Sequence, residues 1–413
     1  MLADRNSKAI FLWGLANIFF AFQFILRLSA GILREDIIQK FDIDASSFGT
    51  LAGYYYLGYA GSQIPLGLML DRLSFRFVTS LAIATAAAGT LTFVATDNWD
   101  IVLFGRFLIG VGSGVAFLSV AKITKTYFDA QYHSMMLGLA FTFGLIGAVF
   151  GVTPMKYLFG VFGYNDTFNA LAMVCLLIAA LMLLFGRIDD IPAQSATSNQ
   201  NIIWQIFSLF TNPKILLVGV SGGLMVGSLE GFADVWAIAY FEQVFGMSNT
   251  DSSWVTSFVY IGMCFGGPIL AVAAKMIGSE NIMIFITGIF TIMVFAIIFY
   301  IPNISFGAAA SLMFFLGILC CYQVLVFSVV SKLVSTQNAS LGIAVVNCIN
   351  MAFGHLFHQY IGSTIQARWD GAMSDLGAAI YDRDTFIAAL AVIPICCLIG
   401  QLGFALLSKK TKF

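Results

Sequence analysis

Apolar runs of about twenty residues recur along the whole chain, and nothing else in it limits the fold so strongly, because a run of that length crosses a bilayer as a helix. They fall at roughly 9–33, 47–70, 76–96, 100–121, 133–158, 166–187, 214–241, 252–274, 281–300, 305–331, 339–366 and 385–407. Inside hydrocarbon every backbone N–H and C=O must be satisfied within its own segment, so twelve such runs predict an all-α integral membrane protein. Composition agrees: 60% of the 413 residues are hydrophobic and 10% charged, against about a quarter charged in soluble domains. A net charge of -1 excludes a strongly basic surface for nucleic acid. The seven cysteines all lie in apolar segments without a C-x-x-C pair, which predicts buried inert thiols rather than disulfides or metal ligands. The opening MLADRNSKAIFLWG is read as the start of the first span, its apolar stretch being too long for a leader.

The longest polar interruption is DDIPAQSATSNQN, residues 189–201, followed by an amphipathic IIWQIFSLF and then Pro213. It divides the spans six and six, giving a first six-helix bundle over 1–188, a linker over 189–213 and a second bundle over 214–413. Of the 20 Lys and Arg residues, thirteen fall on the side of the N-terminus and five on the other, with Arg27 and Arg106 inside spans. The positive-inside rule therefore predicts that both termini are cytoplasmic. Two six-helix repeats around a central cavity are the layout of a secondary transporter.

The loop after the second span reads GLMLDRLSFRF, Gly67 to Phe77. Here the sequence resembles the major facilitator superfamily, whose signature for this loop is G-x-L-x-D-R-x-G-R-[RK]. Gly67, Asp71, Arg72 and Arg76 match it, while Met69 stands for the leucine and Ser74 for the second glycine. The resemblance implies a cytoplasmic loop whose Asp71 and Arg72 gate the carrier through charge-assisted contacts. The second half's corresponding loop, GPILAVAAKMIGSE (267–280), lacks the Asp-Arg pair, so the lock is expected to be one-sided. RFLIGVGSG in the fourth span resembles the family's R-x-x-x-G-x-G-x-G element. Arg106, Gly110 and Gly114 share one helical face, where small residues allow close backbone approach. Arg106 is either a relay residue or a buried arginine bonded to neighbouring carbonyls. Gly144, Gly147, Gly151 and Pro154 form a packing stripe in the fifth span. The absence of a phosphate-binding loop argues against an ATP-driven pump, and neither enzymatic activity nor a cofactor is expected.

A charge inside a span is costly and by default functional. On the first helix Gln23, Arg27 and Arg34 fall on one stripe; on the seventh, Gly223, Gly227, Glu230 and Asp234 repeat the idea. Helices one and seven occupy equivalent places in the two repeats, so Arg27 and Glu230 are expected at similar depth, either paired or facing a wet cavity. Arginine suits bidentate carboxylate or phosphate recognition; Glu230 suits a proton or a substrate ammonium. Tyr55, Tyr59, Ser62 and Gln63 share a face of the second helix, and Asn347, Asn350, Gly354 and His358 one of the eleventh. From these, Arg27, Tyr55, Tyr59, Gln63, Glu230, Asn347 and Asn350 are candidate substrate ligands, and Glu230, Asp234 and His358 candidate proton sites. Gly67, Asp71, Arg72, Arg76 and Arg106 are the gating set.

The stretch YYYLGYAGSQIPLGLMLDR, together with an arginine on helix one, resembles the anion/cation symporter branch and the related lysosomal dipeptide carriers. Glycerol-phosphate-type antiporters use paired arginines on helices one and seven, and Glu230 stands against that. The expectation is a monomeric inner-membrane carrier of a small organic anion or zwitterion, with protons as coupling ions. A dipeptide or amino-acid uniporter, an exporter, and a transporter-like receptor or scaffold that moves no solute are the alternatives.

Overall fold

The computed structural model describes residues 2–187, 202–335, 338–374 and 379–410, so the expected break at 189–201 lies outside the described residues. In chain order the helices are α1 (Leu2–Ile32), the short α2 (Arg34–Phe41), α3 (Ala45–Arg72) and α4 (Phe75–Ala95). Next come α5 (Trp99–Tyr127), α6 (His133–Phe150), α7 (Thr153–Phe185) and the short α8 (Ile202–Phe210). The second half holds α9 (Pro213–Ala233), α10 (Ala237–Phe245), α11 (Asn249–Ile277), α12 (Glu280–Tyr300), α13 (Phe306–Leu333), α14 (Ala339–Arg368) and α15 (Arg383–Ser408). Ten helices among the described residues are long and apolar enough to span a membrane. α3 is not among them although it has 28 residues, because its tyrosines, serines, glycines and Gln63 dilute the apolar content.

Helix starts follow local chemistry. Asn98, Asn212, Ser248, Ser279, Ser305 and Asp382 each accept first-turn backbone N–H bonds through their side chains, which satisfies donors that a helix leaves unpaired. Pro213 stands at the first position of α9, where its missing N–H is no loss. Within α7 the chain turns at Gly163, whose φ of 80° and ψ of 173° interrupt the helix. Only glycine takes that conformation without strain, and it falls between the expected fifth and sixth spans.

Contacts divide the chain into two compact units: Met1–Ser29 with Tyr54–Asn201, and Ala30–Gly53 with Ile202–Phe413. An arm from the end of α1 to the first part of α3 thus groups with the second half. In the first unit α4 packs on α5 and α7. α3 meets α5 at Gly110, where a Cβ would collide with the Tyr55 carbonyl, and α1 meets α6 at Gly147, against the Ala21 backbone. The fifth-span glycine stripe is therefore a packing surface for α1.

In the second unit α11 and α13 touch backbone to backbone, Gly262 on the Phe314 carbonyl and Gly317 on the Val259 carbonyl. Gly219, Gly223 and Gly227 of α9 receive Ile349, Phe353 and Phe357 of α14. Gly223 and Gly227 of the seventh-span stripe thus accept aromatic knobs, because four-residue spacing puts glycines and rings in register. The arm docks on the same helices. Gly31 lies on the Asp234 carbonyl, Gly49 on the His358 carbonyl, and Phe48 meets Trp236 edge to face at 5.9 Å.

Candidate functional site

Each unit carries its own buried polar centre. In the first, Arg106 of α5 is 1% exposed, and its guanidinium donates from Nη1 to the Leu26 carbonyl at 2.7 Å and from Nη2 to the Arg27 carbonyl at 2.6 Å. It also lies over the Tyr55 ring, 4.9 Å from the centroid. These bonds realise the carbonyl-bonded reading of Arg106. They tie the mid-part of α1 to α5 in the place where Arg27 projects. The Tyr55 hydroxyl donates to Gln23 Oε1 at 2.7 Å, so tyrosine and glutamine satisfy each other in the interior. Tyr59 stacks on Tyr55 at 6.1 Å, and Gln63 is buried one turn further along α3.

Arg27 is 9% exposed and sits between two rings, its Cζ 5.0 Å from the Tyr56 centroid and 5.7 Å from that of Phe24. Cation–π contact orients a guanidinium against an aromatic face. The elements on either side of Arg27 are fixed, its carbonyl by Arg106 and its side chain by the aromatic pair. Such support positions a charged group inside a span.

The second unit's centre is built on an interruption of the seventh span, expected as one helix over 214–241. Instead, α9 tightens into a 3-10 turn at Val226–Ser228 and then widens into a π-helical turn at Leu229–Ala233, where Asp234 N–H donates to the Leu229 carbonyl at 3.0 Å. Glu230 lies in that widened turn and is 1% exposed; Asp234 follows it, also buried. Single π turns inside helices are frequent at functional sites, since the extra residue re-aims side chains. Tyr260 of α11 donates its hydroxyl to Asp234 Oδ1 at 2.6 Å. Sequence reading missed Tyr260; a lone tyrosine in the eighth span gave no signal until the bulge brought Asp234 to it. Tyr322 of α13 donates to the Gly222 carbonyl at 2.9 Å, beside the fully buried Asn350, whose amide faces Gly222. His358 is buried on α14 and Asn347 partly exposed, so the eleventh-span stripe is split between interior and edge. Among the described residues no cluster of His, Cys, Asp and Glu has the arrangement of a metal site.

The signature loop is at the surface. Asp71 accepts from Lys122 Nζ of α5 at 2.8 Å, Arg76 stacks on Phe77 at 4.6 Å, and Gly67 has open space around it. In the second unit Glu280, at the start of α12, pairs with Lys332 of α13 at 2.7 Å and accepts from Ser328 Oγ at 2.6 Å. The Asp-Arg motif is absent from that half, yet an acid–base contact is present there too, between α12 and α13. Sequence did not indicate either lysine as a partner, because a contact between a loop and a helix some fifty residues on has no local signature.

The sequence profile described as the Major Facilitator Superfamily matches residues 13–357. The uncharacterized transporter YybO of Bacillus subtilis is 21% identical over 264 residues, 58% of this chain and 60% of that protein. The 4-hydroxybenzoate transporter PcaK of Acinetobacter baylyi is 23% identical over 155 residues, 38% of this chain and 34% of that one. The chain thus spans between about a third and 60% of these curated relatives' lengths. Among solved structures, a bacterial homologue of the human lysosomal transporter Spinster, inward-facing and occupied, superposes with a TM-score of 0.76 at 13% identity, covering 97% of this chain and 96% of that one. That likeness establishes the fold.

Proposed function

The chain belongs to the Major Facilitator Superfamily, and from that premise we propose that it is a proton-coupled secondary transporter of a small organic anion or zwitterion, working by alternating access. In this reading the carrier is a monomer in a prokaryotic inner membrane, both termini in the cytoplasm, and its two six-helix bundles are joined by the linker at 189–213. Arg27 binds the cargo's anionic group; Tyr55, Tyr59, Gln63, Asn347 and Asn350 line the path; Glu230, with Asp234 and His358, handles the proton. The observation that carries this reading is Arg27: a guanidinium within a span, oriented by Tyr56 and Phe24. An arginine kept in that setting against its insertion cost is suited to a planar anion. The similarity to a 4-hydroxybenzoate transporter supports an organic anion.

The test is a thermal-stabilisation panel in detergent with 4-hydroxybenzoate, glutamate, dialanine, glycerol 3-phosphate and uncharged uridine, followed by uptake into proteoliposomes. At least one anion or zwitterion of the panel is expected to raise the Tm and to accumulate when an acid-outside gradient is imposed. Stabilisation and uptake confined to uridine would sink the anion reading.

Asp71, Arg72, Arg76, Gly67 and Arg106 make up the gating set of this proposal. The Asp71–Lys122 pair is solvent-exposed, with side chains 70% and 32% accessible. Exposed pairs contribute at most about 1 kcal/mol, so Asp71→Asn is expected to shift the conformational equilibrium by no more than about fivefold. Thiol-accessibility labelling near the Asp71 end of α3 and the Lys122 end of α5 reads that shift; unchanged labelling would leave the loop a topological role alone.

A further inference from the structure

Tyr260 is 1% exposed, and both sides of its hydrogen bond to Asp234 are held by backbone. On α11 the neighbouring residues are locked onto α13, with the Val259 carbonyl under Gly317 and Gly262 on the Phe314 carbonyl. The helix therefore cannot turn Tyr260 away without breaking two close crossings. On the other side Asp234 closes the π-helical turn through its N–H, and its own carbonyl is covered by Gly31 of the arm. The Tyr260 hydroxyl from α11 bonds this carboxylate, and Glu230 precedes Asp234 by four residues in the chain. The arm adds the Gly31 backbone. Support of this kind, from partners themselves held by backbone packing, is how a functional group is preorganised.

We infer that Tyr260 is a positioning residue of the coupling machinery, fixing the Asp234 carboxylate at the end of the Glu230 turn while Gly31 rests on the same residue's backbone. The state of the acidic turn is thereby tied to the docking of the arm, because one residue serves both contacts. A tyrosine that only filled space would be replaceable by phenylalanine without functional effect.

This inference rests on the proton-coupled reading. The test uses purified full-length protein in proteoliposomes and whichever of 4-hydroxybenzoate, glutamate, dialanine or glycerol 3-phosphate the native protein accumulates. Gradient-driven accumulation and cargo exchange are measured side by side, with the Tm as a folding control. Tyr260→Phe keeps the ring and removes the hydroxyl; the ratio of accumulation to exchange is expected to fall about tenfold, the scale of losing one hydrogen bond to a charged group. Asp234→Ala lowers the same ratio, and adding Tyr260→Phe to it has no further effect, since the tyrosine acts through the aspartate. A native ratio in Tyr260→Phe, or losses that add in the double variant, would overturn the inference. Exchange without any accumulation by the native protein would overturn the coupling reading itself, and this inference with it.

Discussion

Arg27→Lys is expected to lower cargo affinity at least tenfold and transport with it, in a variant that still folds and reaches the membrane. The charge is retained, so the loss isolates what lysine lacks. A guanidinium is a planar fork that donates two parallel hydrogen bonds to a carboxylate and stacks flat on an aromatic face; an ammonium is a compact point charge. At position 27 the aromatic contact is in place, Cζ lying 5.0 Å from the Tyr56 centroid and 5.7 Å from that of Phe24, and the fork is the proposed cargo contact. Losing one arm of a charge-assisted bidentate contact is worth about 1.5–3 kcal/mol, or roughly ten- to a hundredfold. Arg27→Ala loses the charge as well and is expected to be more severe. The check is affinity for the panel anions in detergent alongside uptake, with the Tm verifying that the Arg106 bonds to the Leu26 and Arg27 carbonyls, which do not depend on the side chain at 27, still hold α1 in place. Native affinity in Arg27→Lys would show that a positive charge suffices and would remove the fork geometry from the site.

The helices and their charged interior positions were legible because both rest on local rules. Span length sets where helices fall, and polar residues such as Asn98, Asn212 and Ser248 mark their starts. The carbonyl-bonded state of Arg106 was one of two sequence alternatives, and choosing it needed the crossing of α1 with α5. The π-helical turn at Leu229–Ala233 was illegible: nothing in LEGFA marks an extra residue in the turn, and the contacts around it, Phe357 in the Gly227 notch and Gly31 on the Asp234 carbonyl, come from distant parts of the chain. The grouping of Ala30–Gly53 with the second unit has the same origin, since it depends on glycines meeting backbones far away in sequence. Tyr260 and Lys122 were missed because their partners lie 26 and 51 residues away, beyond any helical periodicity. Residue type thus pointed to the candidate chemistry, and long-range backbone contact decided where each group is held.

The largest expected effect after that of Arg27 belongs to Glu230. Among the charged residues of its helix it alone lies inside the π-helical turn, and at 1% exposure it has almost no contact with bulk water. A carboxylate placed there carries a desolvation cost, and intramembrane acids are by default functional; binding a transported proton and binding a cargo ammonium are the two roles proposed for it. Glu230→Gln retains size and hydrogen-bonding capacity but neither binds and releases a proton nor carries charge, so it separates these roles. If Glu230 carries the proton, gradient-driven accumulation disappears in the variant, while exchange of cargo across the membrane persists, because exchange needs no net proton movement. If Glu230 holds an ammonium, affinity for dialanine and glutamate falls, whereas that for 4-hydroxybenzoate, which has no ammonium, is kept. Purified variant protein in liposomes allows exchange, accumulation and affinity to be measured on one preparation. Native behaviour in all three would mean that Glu230 is neither proton site nor ligand, leaving the widened turn as a device for packing α9 against α14 and removing the acid from the mechanism proposed here.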